Sequence, residues 1–114
     1  MKESVLLNLT IEFSVKIIEL IKNLKEKKES VISNQIGRSG TSIGANIHEA
    51  QFGNSKADFI SKLHIALKEA NETKYWLMLL QKTKYIEADE YKTLENDCER
   101  IKAMLIKSLN TAKK

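Results

Sequence analysis

Apolar residues return along this chain at alternating intervals of three and four, the spacing that gathers side chains onto one face of an α-helix. From Glu3 to about Glu26 the series runs Leu6, Thr10, Phe13, Ile17, Leu20 and Leu24, and a second series, Leu7, Ile11, Ser14, Ile18 and Ile21, lies beside it. Together they make a face wider than the seam of a two-stranded coil, so this helix is expected to touch more than one neighbour. From roughly Ser30 to Phe52, Ile32, Ile36, Gly40, Ile43, Ile47 and Ala50 keep helical spacing. Gly53 and Asn54 mark a turn, after which Ser55 is expected to cap a third helix, with Asp58 as the third-position carboxylate of a capping box. Phe59, Leu63, Ala66, Ala70, Thr73, Leu77 and Leu80 form its seam. A fourth helix, from about Asp89 to Ala112, carries Tyr91, Leu94, Cys98, Ile101, Leu105 and Ser108. Asp89 and Glu90 in its first turn and Lys107 and Lys113 near its last suit the helix dipole. Short connections make neighbouring helices antiparallel. The predicted fold is all-α, an antiparallel up-down-up-down four-helix bundle, one domain over residues 1–114 with no linker, repeat or low-complexity tract.

The end of the third helix exceeds what one seam can bury. In YWLMLL, residues 75 to 80, apolar side chains point in every direction around the axis. Tyr75, Trp76 and Leu79 point away from the stripe that carries Leu77 and Leu80, and no long loop exists to cover them. Self-association is the reading this favours, because aromatic anchors such as Trp76 are typical of interface centres. The alternative is that Trp76 lies against the second stripe of helix one within a single subunit.

GRSGTSIGANIHEA, residues 37 to 50, holds three of the four glycines. A phosphate loop needs glycines between a strand and a helix at P-loop or dinucleotide-fold spacing, and neither the spacing nor a strand is present. GRSG matches the G-x-x-G of a KH module, but that module also requires a sheet. Inside a helix, three glycines cost roughly 3 kcal/mol relative to alanine, which close helix packing must offset. Gly40 lies on the Ile36-Ile43-Ile47 stripe, and Gly37 and Gly44 lie on the adjacent one with Thr41. Ser39, Ser42, Asn46 and Glu49 form a polar line along the edge of the apolar face. That line is either a groove for a partner or ligand, or a set of polar groups bonded to one another and to a neighbouring helix.

Composition supports the helical reading. The 114 residues are 42% apolar and 30% charged and contain no proline, which suits long uninterrupted helices. The single cysteine, Cys98, excludes an internal disulfide and sits on the core seam of helix four as a small apolar filler. Glu3 and Ser4 beside Lys2, with Asn8, Thr10 and Glu12 among the first apolar residues, make a poor signal peptide. No apolar run is long enough to span a membrane, and a cytoplasmic protein is expected.

RSGTSIGANIHEA followed by SKADFISKLHIALKEANETKYWLMLL resembles the four-helix bundle protein family, also called the 23S rRNA intervening-sequence protein family. Its signature is serine, isoleucine, proline or glycine, alanine, asparagine, an acidic residue three positions on, then a serine-lysine cap and phenylalanine. Ser42, Ile43, Gly44, Ala45, Asn46, Glu49, Ser55, Lys56 and Phe59 match it in order. The resemblance spans nearly the whole chain, most densely residues 37 to 80. It departs before helix four, where members often place a capping serine and this chain has Glu87-Ala88-Asp89, so that helix is expected to start a residue or two displaced. The resemblance implies a ring-like homo-oligomer, commonly a pentamer. It implies little about function, although the bundle is similar to the accessory variability determinant of diversity-generating retroelements, which binds nucleic acid and a reverse transcriptase.

Candidate chemistry is sparse. His48-Glu49 matches the start of a zincin motif, but the second histidine would fall at Phe52 and His64 lies on another helix. With no nucleophile-base pair, metal set or cofactor motif, catalysis is not expected. The lysines are more suggestive. Lys22, Lys25, Lys27 and Lys28 end the first helix and, in an antiparallel bundle, share one end with Lys82 and Lys84, where Arg38 could join them. The formal charge of +4 permits a polyanionic partner without demanding one, and Glu26, Glu29, Glu87, Asp89 and Glu90 dilute the field there. In a ring the cluster becomes a belt able to bind RNA or DNA backbone multivalently. A protein adaptor that recruits a reverse transcriptase or a ribosomal component is the alternative.

Overall fold

The structure, a computed structural model, describes residues 2–114, with side chains from Val5 onward. The side chains of Lys2, Glu3 and Ser4, which figure in the signal-peptide expectation, lie outside the described ones. Four helices follow in order: α1 (Lys2–Glu26), α2 (Val31–Ala50), α3 (Lys56–Lys82) and α4 (Ala88–Ala112). They make a rod of 45 × 22 × 20 Å, whose length is set by 20 to 27 residues per helix at about 1.5 Å each. α1 packs on α2 and α4, α3 packs on α2 and α4, and the backbones of the diagonal pairs stand farther apart. This is the up-down-up-down square that short connections dictate.

The three-four stripes form the core. Phe13, Ile17 and Leu24 of α1, Ile36, Ile43 and Ile47 of α2, Leu63, Leu77 and Leu80 of α3, and Cys98, Ile101 and Leu105 of α4 are fully enclosed. Thr10 on the α1 stripe is also buried, its hydroxyl donating to the Leu7 carbonyl at 2.8 Å. The second α1 stripe divides: Leu7 and Ile21 pack partly against the core, whereas Ile11 stays 52% exposed and Ile18 lies open beside it.

α2 presents different chemistry to its two neighbours. Gly37, Gly40 and Gly44 face α1, and a Cβ at Gly40 would stand 3.0 Å from both Cγ atoms of Ile17, closer than ordinary contact. The missing side chain lets the two helices approach. Toward α3 the contact is polar. Buried Ser39 and Thr73 share a hydrogen bond of 2.9 Å between their hydroxyls, and Thr73 also donates to the Glu69 carbonyl. No buried polar side-chain atom among the described residues is left without a partner, so this polar seam avoids the penalty of an orphaned group.

The helix ends obey local rules, with three departures. Ser55 caps α3 as expected, its Oγ accepting from Asp58 N at 3.1 Å. α2 closes at Ala50 instead of Phe52, because the Phe52 and Gly53 amides turn back onto the Glu49 and Ala50 carbonyls. α4 begins at Ala88, one residue before Asp89, and its flanking Glu87 makes no side-chain cap. At the start of α2, Ser30 makes no side-chain cap. Glu29 reaches over Ser30 instead, and its two carboxylate oxygens accept from Ile32 N at 2.9 Å and Ser33 N at 2.8 Å.

Candidate nucleic-acid interface

Both α1 and α3 end in a Schellman turn. After α1, Lys28 N donates to Lys25 O and Glu29 N to Leu24 O; after α3, Lys84 N donates to Gln81 O and Tyr85 N to Leu80 O. Such a turn needs a left-handed residue after the helix, a place glycine usually takes. Here lysine takes it twice, at Lys28 with φ 62° and Lys84 with φ 67°. The α1–α2 and α3–α4 turns lie side by side at one end of the rod, joined by Lys27 Nζ donating to the Tyr85 carbonyl at 2.8 Å.

The structure thus gathers Lys25, Lys27, Lys28, Lys82 and Lys84, all exposed, at this end. Among the described residues, Lys25, Lys28, Lys82 and Lys84 form no ion pair. Lys22 stands one turn back, 3.6 Å from Glu19. Arg38 does not join the cluster. It lies two turns into α2 and crosses to α3, bonding Glu69 at 3.1 Å and also Glu72. A guanidinium suits such a two-carboxylate partner. Of the acidic residues expected to dilute the end, Glu29 is turned inward, 8% exposed, with both oxygens engaged by the α2 amino terminus. Glu26, Glu87, Asp89 and Glu90 remain on the surface.

The glycine-stretch motif is split between two seams. Gly44 lies against Thr10 and Ser14 of α1. Ser42 and Asn46 bond each other, Asn46 Nδ2 donating to the Ser42 carbonyl at 2.8 Å and hydroxyl at 3.0 Å, while Glu49 pairs with Lys62 of α3 at 3.2 Å. Trp76 is half-buried against the core, its indole N–H donating to Glu72 at 3.0 Å, with Tyr75 edge-on at 5.1 Å. The indole bond stays within α3, one turn back along the same helix. Tyr75 is 50% exposed, Leu79 is half-buried, and Val31 at the start of α2 is strongly exposed.

Little here is arranged for bond chemistry. Burial pushes the Cys98 thiol up to about 12, and its Sγ donates to the Ala70 carbonyl at 3.3 Å. A thiol so protonated is a poor nucleophile. His48 stacks near Phe52 at 5.3 Å, the position where a zincin would need its second histidine, and no cluster of three metal-ligating side chains occurs among the described residues. Lys74 and Glu99 hydrogen-bond across α3 and α4, which raises the lysine pKa and lowers that of the carboxylate. A groove of about 310 Å³ lies between α1 and α4, with Val15, Leu20 and Leu94 beside Lys16, Glu19 and Thr93, and Lys16 there pairs with Asp97 at 2.7 Å. No described helix is long and apolar enough to cross a membrane.

The protein is a four-helix bundle with polar groups bonded across its helix seams and five exposed lysines at one end. It belongs to the 23S rRNA-intervening sequence protein family, whose sequence model matches residues 2–107. A crystal structure of a protein with unknown function from the S23 ribosomal protein family of Bacteroides thetaiotaomicron is similar, with 53% identity and a TM-score of 0.94 over 96% of this chain and 99% of that one. No curated protein matches the chain.

Proposed function

We propose that this is a non-enzymatic bundle that assembles with copies of itself and binds RNA or DNA backbone through the lysines at its turn end. The observation that carries the reading is the convergence of Lys25, Lys28, Lys82 and Lys84 without ion-pair partners among the described residues, next to Lys27. Each contact is weak alone, and repetition around a homo-oligomer such as a pentameric ring multiplies it. Exposed Ile11, Val15 and Ile18 on α1 support assembly, because they form an apolar strip that one subunit leaves open.

Fluorescence anisotropy with labelled RNA tests the binding. Counterion release predicts affinity that falls steeply between low and physiological salt. Affinity that ignores salt, or no binding at low salt, contradicts the reading. Light scattering at micromolar concentration tests assembly, and a 13.0 kDa particle would contradict it.

A second reading, a protein adaptor for a polymerase or ribosomal component, draws on Tyr75, Trp76, Leu79 and Arg38 around the exposed Val31 edge, a composition typical of interface anchors. Recovery of nucleic acid alone in a pull-down would count against it.

A further inference from the structure

We infer that Lys28 and Lys84 act as a matched pair of phosphate contacts and that their ligand is the backbone of a nucleic-acid duplex. The inference rests on the proposed backbone binding at this end and assigns it a class of ligand. Its origin is a conformational anomaly. Among the described residues, Lys28 and Lys84 alone of the non-glycine residues have positive φ, and both occupy the post-helix position where glycine relieves strain. Strain kept where a simple substitution would remove it points to a role for the side chain. The two positions are equivalent in two successive hairpins, carry the same side chain and sit at the same end of the rod.

The turns are also linked to each other by a hydrogen bond. Lys27 Nζ bonds the Tyr85 carbonyl, so the residue before Lys28 is fastened to the residue after Lys84. Two cations on tied turns suit two phosphates of a regular backbone better than a freely shaped strand. Single-strand binders usually add exposed aromatic platforms on which bases stack. Tyr85 packs partly against the core, the Tyr91 hydroxyl donates to Glu95 at 2.9 Å, and Tyr75, 50% exposed about two turns before the end of α3, offers one ring instead of a row of them.

The test uses the full-length chain with a short labelled RNA duplex and the matching single strand at low salt. Four proteins are compared: wild type, K28G/K84G, K28R/K84R and K25Q/K82Q. The wild type is expected to prefer the duplex. The glycine variant is expected to melt a few degrees higher yet bind the duplex on the order of tenfold more weakly, since two phosphate contacts are gone. The arginine variant is expected to keep the affinity. A glycine variant that binds like wild type while K25Q/K82Q loses affinity would overturn the Lys28–Lys84 assignment and leave the backbone-binding reading intact. Preference for the single strand would overturn the duplex assignment, and a glycine variant that melts no higher would remove the strain argument. Wild type that binds neither nucleic acid would overturn the broader reading as well.

Discussion

The two ends of the rod solve the same problem with opposite materials. At the α2–α3 end the chain turns through Gly53, Asn54 and Ser55, the residues a turn ordinarily uses, yet no glycine there or elsewhere among the described residues has positive φ. A Cβ at Gly53 would stand 2.8 Å from a carboxylate oxygen of Asp58, the movable end of a flexible side chain. At the lysine end both turns require the left-handed conformation, and neither contains glycine. Economy of backbone energy therefore shaped the first end and does not explain the second. The difference teaches that backbone economy does not account for lysine at the two left-handed positions.

Removing the acid that caps α2 should do most to break this contrast. Glu29→Ala deprives two amides of their acceptor, one of them buried, and should cost about 1–2 kcal/mol, read as a lower melting temperature. Ser55→Ala, at the other end, removes a single cap bond and should cost about 1 kcal/mol in denaturant unfolding. The lysine turns should respond with the opposite sign: Lys28→Gly and Lys84→Gly should each stabilise by roughly 0.5–1 kcal/mol, as left-handed strain is relieved against a more flexible unfolded chain. The smallest effect is expected at Gly53→Ala, a loss of about a few tenths of a kcal/mol, because the Asp58 carboxylate can swing aside and φ is not left-handed. If Gly53→Ala proved more damaging than Glu29→Ala, the account of both ends would be wrong.

Much of the fold can be read in the chain because burial repeats. The stripes from Leu6 to Leu24 and from Leu63 to Leu80 are buried where helical spacing puts them, and Ser55 caps α3 through a local bond that a four-residue window reveals. What periodicity hides lies across helices or in backbone geometry. Arg38 looked available for the lysine end, but Glu69 and Glu72, more than thirty positions away, hold it. Trp76 looked unpaired until Glu72, one turn earlier, received its indole proton. The exposure of Ile11 and Ile18 could not be seen from a stripe that matched the buried one in composition. Nothing in KEKKES or QKTKYI announces a left-handed residue, because glycine, the usual signal, is missing. The Glu29 cap is hidden for a related reason: Ser30 occupies the usual capping position, and the acceptor stands one residue earlier.

The claim that the turn-end lysines meet phosphate is tested most directly by the salt dependence of binding, measured in parallel for wild type and K28G/K84G on one duplex. Plotted as log affinity against log salt, the wild-type line should be steep, and the variant line shallower by about two, roughly one for each phosphate contact removed. Two parallel lines would contradict it.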